Sequence, residues 1–188
     1  MESVKIPVIK TDRLTIRLPE YRDIDSIINY YYDNKEYLKP FEPIKPNDFY
    51  SRDYWIAHID LIGNDFNVDR SLKLFIFDNS IPKQIIGMVC LNNIVRGAFQ
   101  ASYLGYSLAE SKQGNGYMME ALEGIIDYAF SELKLHRIMA NYMPHNKRSG
   151  NILKKLGFIV EGYARDYLFI NGKWEDHILT SISNNKWC

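Results

Sequence analysis

The sequence predicts an α/β fold, with one mixed, mostly antiparallel sheet of six to seven strands and about four helices. Three observations predict it. Runs 71–77 and 84–95 are rich in Leu, Ile, Val and Phe and are separated by a short polar stretch, as in an antiparallel hairpin, and run 101–109 continues the sheet. A glycine loop and an amphipathic helix separate run 101–109 from the strand-like run 136–142, which is the order of a right-handed crossover. An Asn-Gly pair joins the last two strand-like runs.

The first strand is predicted where Leu14, Ile16 and Leu18 alternate with polar residues. Asp23 then opens a helix. Its apolar positions repeat at the helical period and are Ile24, Ile27, Ile28 and Tyr31.

Residues 38–46 contain three prolines and cannot form a regular helix. A second helix is predicted over 48–62, where it is ended by Gly63. The rigid segment 38–46 could line a substrate site or could be a plain connector, and its composition does not distinguish the two.

Further along the chain, a short helix is predicted over 147–156, where it is stopped by Gly157. The last two strands are predicted over 163–170 and 173–181. They are joined by Asn171-Gly172, which is the strongest two-residue hairpin signal.

A glycine loop, Gln113 to Met118, lies between strand 101–109 and the third predicted helix. Gly114 and Gly116 let the backbone bend and approach a ligand, and the first free N–H groups of the helix then face that ligand. The loop therefore suits a diphosphate. The alternative is an ordinary helix start that binds nothing. A nucleotide P-loop and a dinucleotide fold are excluded, because there is no Gly-Lys-Ser/Thr and no third glycine.

Composition indicates one domain over residues 1–188, with 46% hydrophobic residues and 23 basic against 23 acidic side chains. The balanced charge gives no general attraction to nucleic acid or to an anionic membrane. No apolar run is long enough for a signal peptide or a membrane span, so a cytoplasmic location is expected. Cys90, Cys188 and the four histidines show no ligand spacing, so no metal site is expected.

Five segments, 11–14, 38–43, 103–107, 136–150 and 161–167, carry a resemblance to a known family. Together they resemble the GCN5-related N-acetyltransferases, and within them the RimJ type that acetylates the N-terminal alanine of a small-subunit ribosomal protein. The resemblance implies a sheet splayed between the fourth and fifth predicted strands, 101–109 and 136–142. It also implies acetyl-coenzyme A as cofactor.

In the family, the loop Gln/Arg-x-x-Gly-x-Gly/Ala holds the diphosphate through its backbone amides. Gln113 and Gly116 match it, whereas Met118 replaces the final small residue. The resemblance extends cofactor binding to the end of the preceding strand and to Asn146-x-x-Ser149. The implied cofactor-binding residues are Ser107, Leu108, Gln113, Gly114, Asn115, Gly116, Tyr117, Met118, Asn146 and Ser149.

Asn146 and Ser149 lie one helical turn apart at a helix start, where spacing alone favours capping. The resemblance instead implies that Ser149 serves the leaving thiolate and that a backbone N–H near Leu108 meets the oxyanion. Some relatives use a Glu as base, but Leu168 aligns with it here. Asp166 is predicted as the catalytic base, with His145 and Glu42 as the other candidates.

The predicted function is acetylation of a protein N-terminus by direct attack of the amine. Phe41, Glu42, Asp166 and Tyr167 are predicted to bind the peptide. The predicted partner is a ribosomal protein, with weak association with the ribosome. Two alternatives are an acetylase of a small amine or antibiotic and a non-catalytic acyl-CoA-binding assembly factor.

Overall fold

A computed structural model of the chain describes residues 6–81 and 83–187. Within these residues the chain forms eight strands and five helices. The strands are β1 (Val8–Lys10), β2 (Leu14–Arg17), β3 (Leu72–Asp78), β4 (Ile85–Val95), β5 (Ala101–Leu108), β6 (Arg137–Met139), β7 (Ile159–Ile170) and β8 (Lys173–Ser183). The helices are α1 (Ile24–Asp33), α2 (Lys35–Leu38), α3 (Arg52–Asn67), α4 (Tyr117–Ser131) and α5 (Lys147–Lys155).

All eight strands belong to one sheet, in the order β1-β2-β3-β4-β5-β6-β8-β7. Each neighbouring pair is antiparallel except β5 and β6, which are parallel and joined through α4. The predicted mixed, mostly antiparallel α/β fold is therefore confirmed. The predicted six to seven strands and about four helices compare with eight and five, since β1 and α2 have only 3 and 4 residues and are too short to show a periodic pattern.

The predicted splay is also present. β5 and β6 pair only from Ala101 opposite Arg137 to Tyr103 opposite Met139, whereas β5 continues to Leu108. The chain after β6 turns towards β8, where the Ala140 N–H donates to the Thr180 carbonyl at 3.0 Å. The strand predicted over 136–142 thus ends early, and a V-shaped gap opens beside the second half of β5.

Two apolar clusters cover the two faces of the sheet. Along β3, side chains alternate, so that Leu74 and Ile76 enter one cluster and Phe75 and Phe77 the other. The first cluster takes the predicted apolar face of α4. The second takes α1 and α3 and contains the fully buried Trp55. These layers hold the ends of β5 and α4 in place.

The second predicted helix differs from its prediction at both ends. The second helix, predicted over 48–62, runs instead from Arg52 to Asn67 as α3. It starts late because the Ser51 side chain accepts the Tyr54 N–H at 3.1 Å and caps the helix. It continues past Gly63 because Phe66 is buried on the same helix.

Turn chemistry at the other end of the chain follows the sequence. Asn171 and Gly172 both have positive φ, at 46° and 83°, as a tight β7–β8 hairpin requires. Gly157, with φ of 86°, ends α5, and the next N–H, from Phe158, donates back to the Leu153 carbonyl at 3.0 Å.

Candidate active site

A cleft of about 330 Å³ opens where β5 ends, and it is bounded by the start of α4, the start of α5 and the segment after α2. The cleft has the size and the mainly apolar walls of a small-molecule site. It brings together predicted residues from four separate parts of the chain: Phe41, Glu42, Ser107, Leu108, Gln113, Met118, Asn146 and Ser149.

The second half of β5 turns backbone groups towards this gap. Ala109 donates its N–H to Ile86 of β4, at 2.8 Å, so alternate residues of β5 face β4. Gln100 faces the other way, because its carbonyl accepts from Arg137. By the same alternation, the N–H groups of Tyr106 and Leu108 point into the gap that β6 has left. The Gln113 side chain donates to the Leu108 carbonyl at 3.3 Å.

The glycine loop ends at the first turn of α4. Gly114 and Gly116 have φ of 77° and 79°, which an L-residue rarely adopts. Gly116 is the N-cap of α4 and supplies no side-chain acceptor. The first N–H groups of α4, from Tyr117 and Met118, therefore have no intrahelical partner and favour an anion.

The Arg13–Glu120 ion pair, which the sequence interpretation missed, stabilises this loop. Arg13 donates to the Asn115 carbonyl at 2.9 Å, and its Nη2 lies 2.7 Å from Glu120 Oε2 on α4. Burial raises the pKa of Glu120, but hydrogen bonds from Thr11 and Arg13 outweigh it, and the pKa lies below its ordinary value. Arg13 falls in the family-like segment 11–14, yet nothing local in the sequence links it to a loop a hundred residues away.

The start of α5 separates two roles that the sequence left open. Asn146 is the cap, because its side-chain oxygen accepts the Ser149 N–H at 3.2 Å. The Ser149 hydroxyl instead lies 2.7 Å from the Tyr106 hydroxyl of β5. α5 comes close enough for this because residue 150 is glycine, where a Cβ would lie 2.7 Å from the Tyr142 ring.

Burial raises the pKa of Tyr106 to about 12, although the Ser149 hydrogen bond acts in the opposite direction. A second tyrosine–serine pair lies on the other side of β5, where the hydroxyls of Tyr30 and Ser107 are 2.8 Å apart. Burial raises the pKa of Tyr30 as well. Both phenols are therefore neutral at physiological pH.

The predicted base and its neighbour lie elsewhere. Asp166 is exposed, has a φ of 45° and donates its N–H to Asp176 at 2.9 Å, in a stretch where the β7–β8 register shifts. The Tyr167 hydroxyl accepts from Asn141 at 3.2 Å. Neither residue is among those that line the cleft in the described part of the chain, so their roles stay predictions that the geometry does not support.

Glu42, by contrast, lines the cleft. Its Oε2 lies 2.9 Å from Lys45 Nζ, and its backbone carbonyl accepts the Asn171 N–H at 3.1 Å. The proline-rich segment is thus tied to the tip of the β7–β8 hairpin and forms one wall of the site. Of the three carboxylate and imidazole candidates, Glu42 is the one that the described structure brings to the cleft.

The splayed sheet, the amide-rich loop and the cleft define an acetyltransferase of the GNAT class. Residues 13–159 match the Acetyltransferase (GNAT) domain, and the chain belongs to this family. It is 45% identical over 179 residues to the [ribosomal protein uS5]-alanine N-acetyltransferase of Escherichia coli strain K12, covering 95% of this chain and 92% of that protein.

Two solved structures show the same architecture. The ribosomal-protein-S5-alanine acetyltransferase from Vibrio fischeri has a TM-score of 0.91 and 37% identity, covering 97% of this chain and 99% of that one. Mycobacterium smegmatis RimJ in complex with CoA-disulfide has a TM-score of 0.87 and 25% identity, covering 96% and 88%. The predicted family and the predicted N-acetyltransferase activity are confirmed.

GNAT acetyltransferases use acetyl-CoA, and the residues present fit it. The Gly116 loop offers amides to a diphosphate, while the β5 edge and Ser149 lie along one cleft beyond it. No helix in the described residues is long and apolar enough to cross a membrane.

Proposed function

We propose that this protein acetylates the N-terminal alanine of a small-subunit ribosomal protein in the cytoplasm, with acetyl-CoA as donor. The substrate assignment rests on the 45% identity, over 95% of this chain, to a uS5-alanine N-acetyltransferase. Catalysis occurs in one domain and in a ternary complex, and weak association with the ribosome would bring the enzyme to its substrate.

The bound cofactor supplies an acetyl thioester, and this chain supplies the groups around it. The amides of Gly116, Tyr117 and Met118 hold the diphosphate, with Gly114 and Asn115 shaping the loop. Ser107 and Asn146 flank the pantetheine arm. The Leu108 N–H, turned into the splay, donates to the oxyanion that develops at the carbonyl. Ser149 donates to the sulfur as it leaves.

Among the described residues, Cys90 is the one thiol that lines the cleft, and its burial favours direct attack by the amine over an acyl-enzyme. Burial raises the pKa of Cys90, whose side chain is 6% exposed, and a protonated thiol is a poor nucleophile. Cys188 lies outside the described residues. An acyl-enzyme on Cys90 is therefore disfavoured, and the substrate amine is the nucleophile.

An N-terminal amine also eases the demand for a base. Its pKa is ~7.7, against ~10.4 for a lysine side chain, so a fair fraction is neutral at cytoplasmic pH. Glu42, at the wall between Phe41 and the hairpin tip, attracts the remaining ammonium form and holds it in the cleft. Water between the amine and a carboxylate then takes up the one proton that the ammonium form must lose before the amine can attack.

The test is turnover with three matched peptides: one beginning with Ala, the same peptide with a blocked N-terminus and an internal lysine, and one beginning with a bulky residue. We expect acetylation of the first alone, at a rate that rises as pH passes through the α-amine titration. Comparable turnover of the blocked peptide would overturn the N-terminal assignment. Mass spectrometry of intact ribosomal proteins with and without the gene identifies the substrate.

A further inference from the structure

The hydrogen bond between Tyr106 and Ser149 joins two elements that close the cleft. Tyr106 projects from β5 and Ser149 from the first turn of α5, with Oη and Oγ 2.7 Å apart, and both side chains line the cleft. A serine hydroxyl carries one hydrogen and so donates to one acceptor at a time. The direction of this bond therefore decides whether Ser149 has a hydrogen available for a ligand.

Either hydroxyl could be the donor on distance alone, and three features favour donation from Tyr106 to Ser149. A phenol is more acidic than an alcohol and is the stronger donor. Tyr106 is partly buried and keeps its proton, because burial raises its pKa to about 12. If Ser149 donated instead, the phenolic hydrogen would depend on a partner in the cleft, whereas donation by Tyr106 satisfies it within the protein. Ser149, which faces the open cleft, is free to donate outwards.

We propose that Tyr106 is a positioning residue: it donates to Ser149 Oγ and thereby aims the Ser149 hydrogen at the leaving sulfur of the thioester. The inference rests on the role proposed for Ser149. In the reaction the N–C bond forms as the C–S bond breaks, and the C–S electron pair stays on sulfur. One proton passes, net, from nitrogen to sulfur. Tyr106 neither gains nor loses a proton.

The chain contains a matched control pair. Tyr30 and Ser107 form a hydrogen bond of the same type at 2.8 Å, also at the end of β5, but Tyr30 does not contact Ser149. A loss of activity caused by disturbing β5 would follow from Tyr30→Phe as well. A loss that acts through Ser149 would follow from Tyr106→Phe and would disappear when residue 149 is already alanine.

The experiment measures single-turnover acetyl transfer in Tyr106→Phe, Ser149→Ala and the double variant, with CoA affinity by calorimetry and the melting temperature of each. We expect Tyr106→Phe to slow transfer by ~10-fold or more with little change in CoA affinity. In the Ser149→Ala background the same change should cost less than about twofold, because its target is gone. Tyr30→Phe should have the same effect in both backgrounds.

Equal losses from Tyr106→Phe in both backgrounds would make the residue merely structural and overturn the proposal. A normal rate in Ser149→Ala would instead refute the role of Ser149 and remove the basis of the proposal. If Tyr106→Phe does not fold, difluorotyrosine at position 106 replaces it. Its rate should fall as pH rises through the lowered pKa of the fluorinated phenol, and a rate unaffected by that titration would overturn the proposal.

Discussion

Arg13 and Glu120 are 107 residues apart in the sequence, yet their side chains meet behind the cofactor loop, with Nη2 and Oε2 2.7 Å apart. The same guanidinium donates to the Asn115 carbonyl and lies 4.5 Å from the centre of the Tyr117 ring. The β1–β2 turn thus supports the loop whose amides face the diphosphate. The conformation of the loop therefore depends on a turn that is far away in the sequence.

Glu120→Gln should therefore weaken CoA binding without a direct contact, by ~3-fold to ~10-fold, because Arg13 loses its charged partner. Calorimetric titration with CoA measures it. Arg70→Gln, which breaks the exposed Arg70–Asp65 pair, is the control and should leave the affinity unchanged. Equal affinities in wild type and Glu120→Gln would show that the loop holds its shape alone.

Gly116→Val should reduce CoA affinity by ~10-fold or more, about 1.4 kcal/mol. The reason is a φ of 79°, which a β-branched residue resists, at the N-cap whose amides meet the diphosphate. Gly97→Val is the matched control, since Gly97 has a φ of 72° in open surroundings. Both variants should melt earlier, but the loss of affinity is expected at position 116 alone.

Asn146→Ala and Ser149→Ala should separate capping from catalysis. The Asn146 side chain caps α5 by accepting the Ser149 N–H, so its removal should cost ~1 kcal/mol of stability. Ser149→Ala leaves that cap in place and should lower kcat by ~10-fold to ~1000-fold with little change in CoA affinity. Melting temperature and kcat of both variants test it. Near-normal turnover in Ser149→Ala would mean that Ser149 has a structural role and no catalytic one.

Asp78 should make stability depend on pH. Hydrogen bonds from Lys112 and then Ser80 hold its pKa at about 2, below its ordinary value. A lowered folded-state pKa means that the stabilisation is complete above about pH 4 and is lost as pH falls towards about 2. Asp78→Asn should cost about 2 kcal/mol at neutral pH, from a shift of nearly two units, and the difference should vanish at low pH.

Denaturant unfolding at several pH values measures the effect of Asp78→Asn. The control is Asp69→Asn, which removes an exposed pair with Arg96 and should cost less than about 1 kcal/mol. A pH-independent difference for Asp78→Asn would mean that packing, rather than charge, stabilises this site.

Glu42 and Asp166 are the two carboxylates proposed for the amine site. Glu42→Gln should raise the peptide KM by ~10-fold without altering CoA affinity, because a charge-assisted contact to the ammonium is lost. Lys45→Met, which removes its ion-pair partner but keeps the carboxylate, is the matched control.

Asp166→Asn should have a smaller effect, since Asp166 is exposed and outside the cleft. A large rate loss with an altered pH profile in Asp166→Asn would restore it as the base.

Several elements of this protein could be predicted from the sequence because their causes are local. β3 to β5 follow from runs of branched and aromatic residues, and α4 follows from apolar spacing at the helical period. The β7–β8 turn follows from Asn171-Gly172, since these residues tolerate positive φ. Resemblance in segments along nearly the whole chain extended these predictions to the family and to the cofactor.

Only the tertiary structure decided which distant residues meet. Sequence spacing carries no information on how far β5 pairs with β6, and the end of that pairing at Tyr103 opposite Met139 is what opens the gap beside Leu108. A register shift beyond Ala164 places Asp166 at the surface, where β-periodicity alone could not put it. The contacts of Tyr106 with Ser149 and of Arg13 with Glu120 likewise arise from packing across the sheet. Backbone preferences act over a few residues, whereas a site is assembled by the folded core.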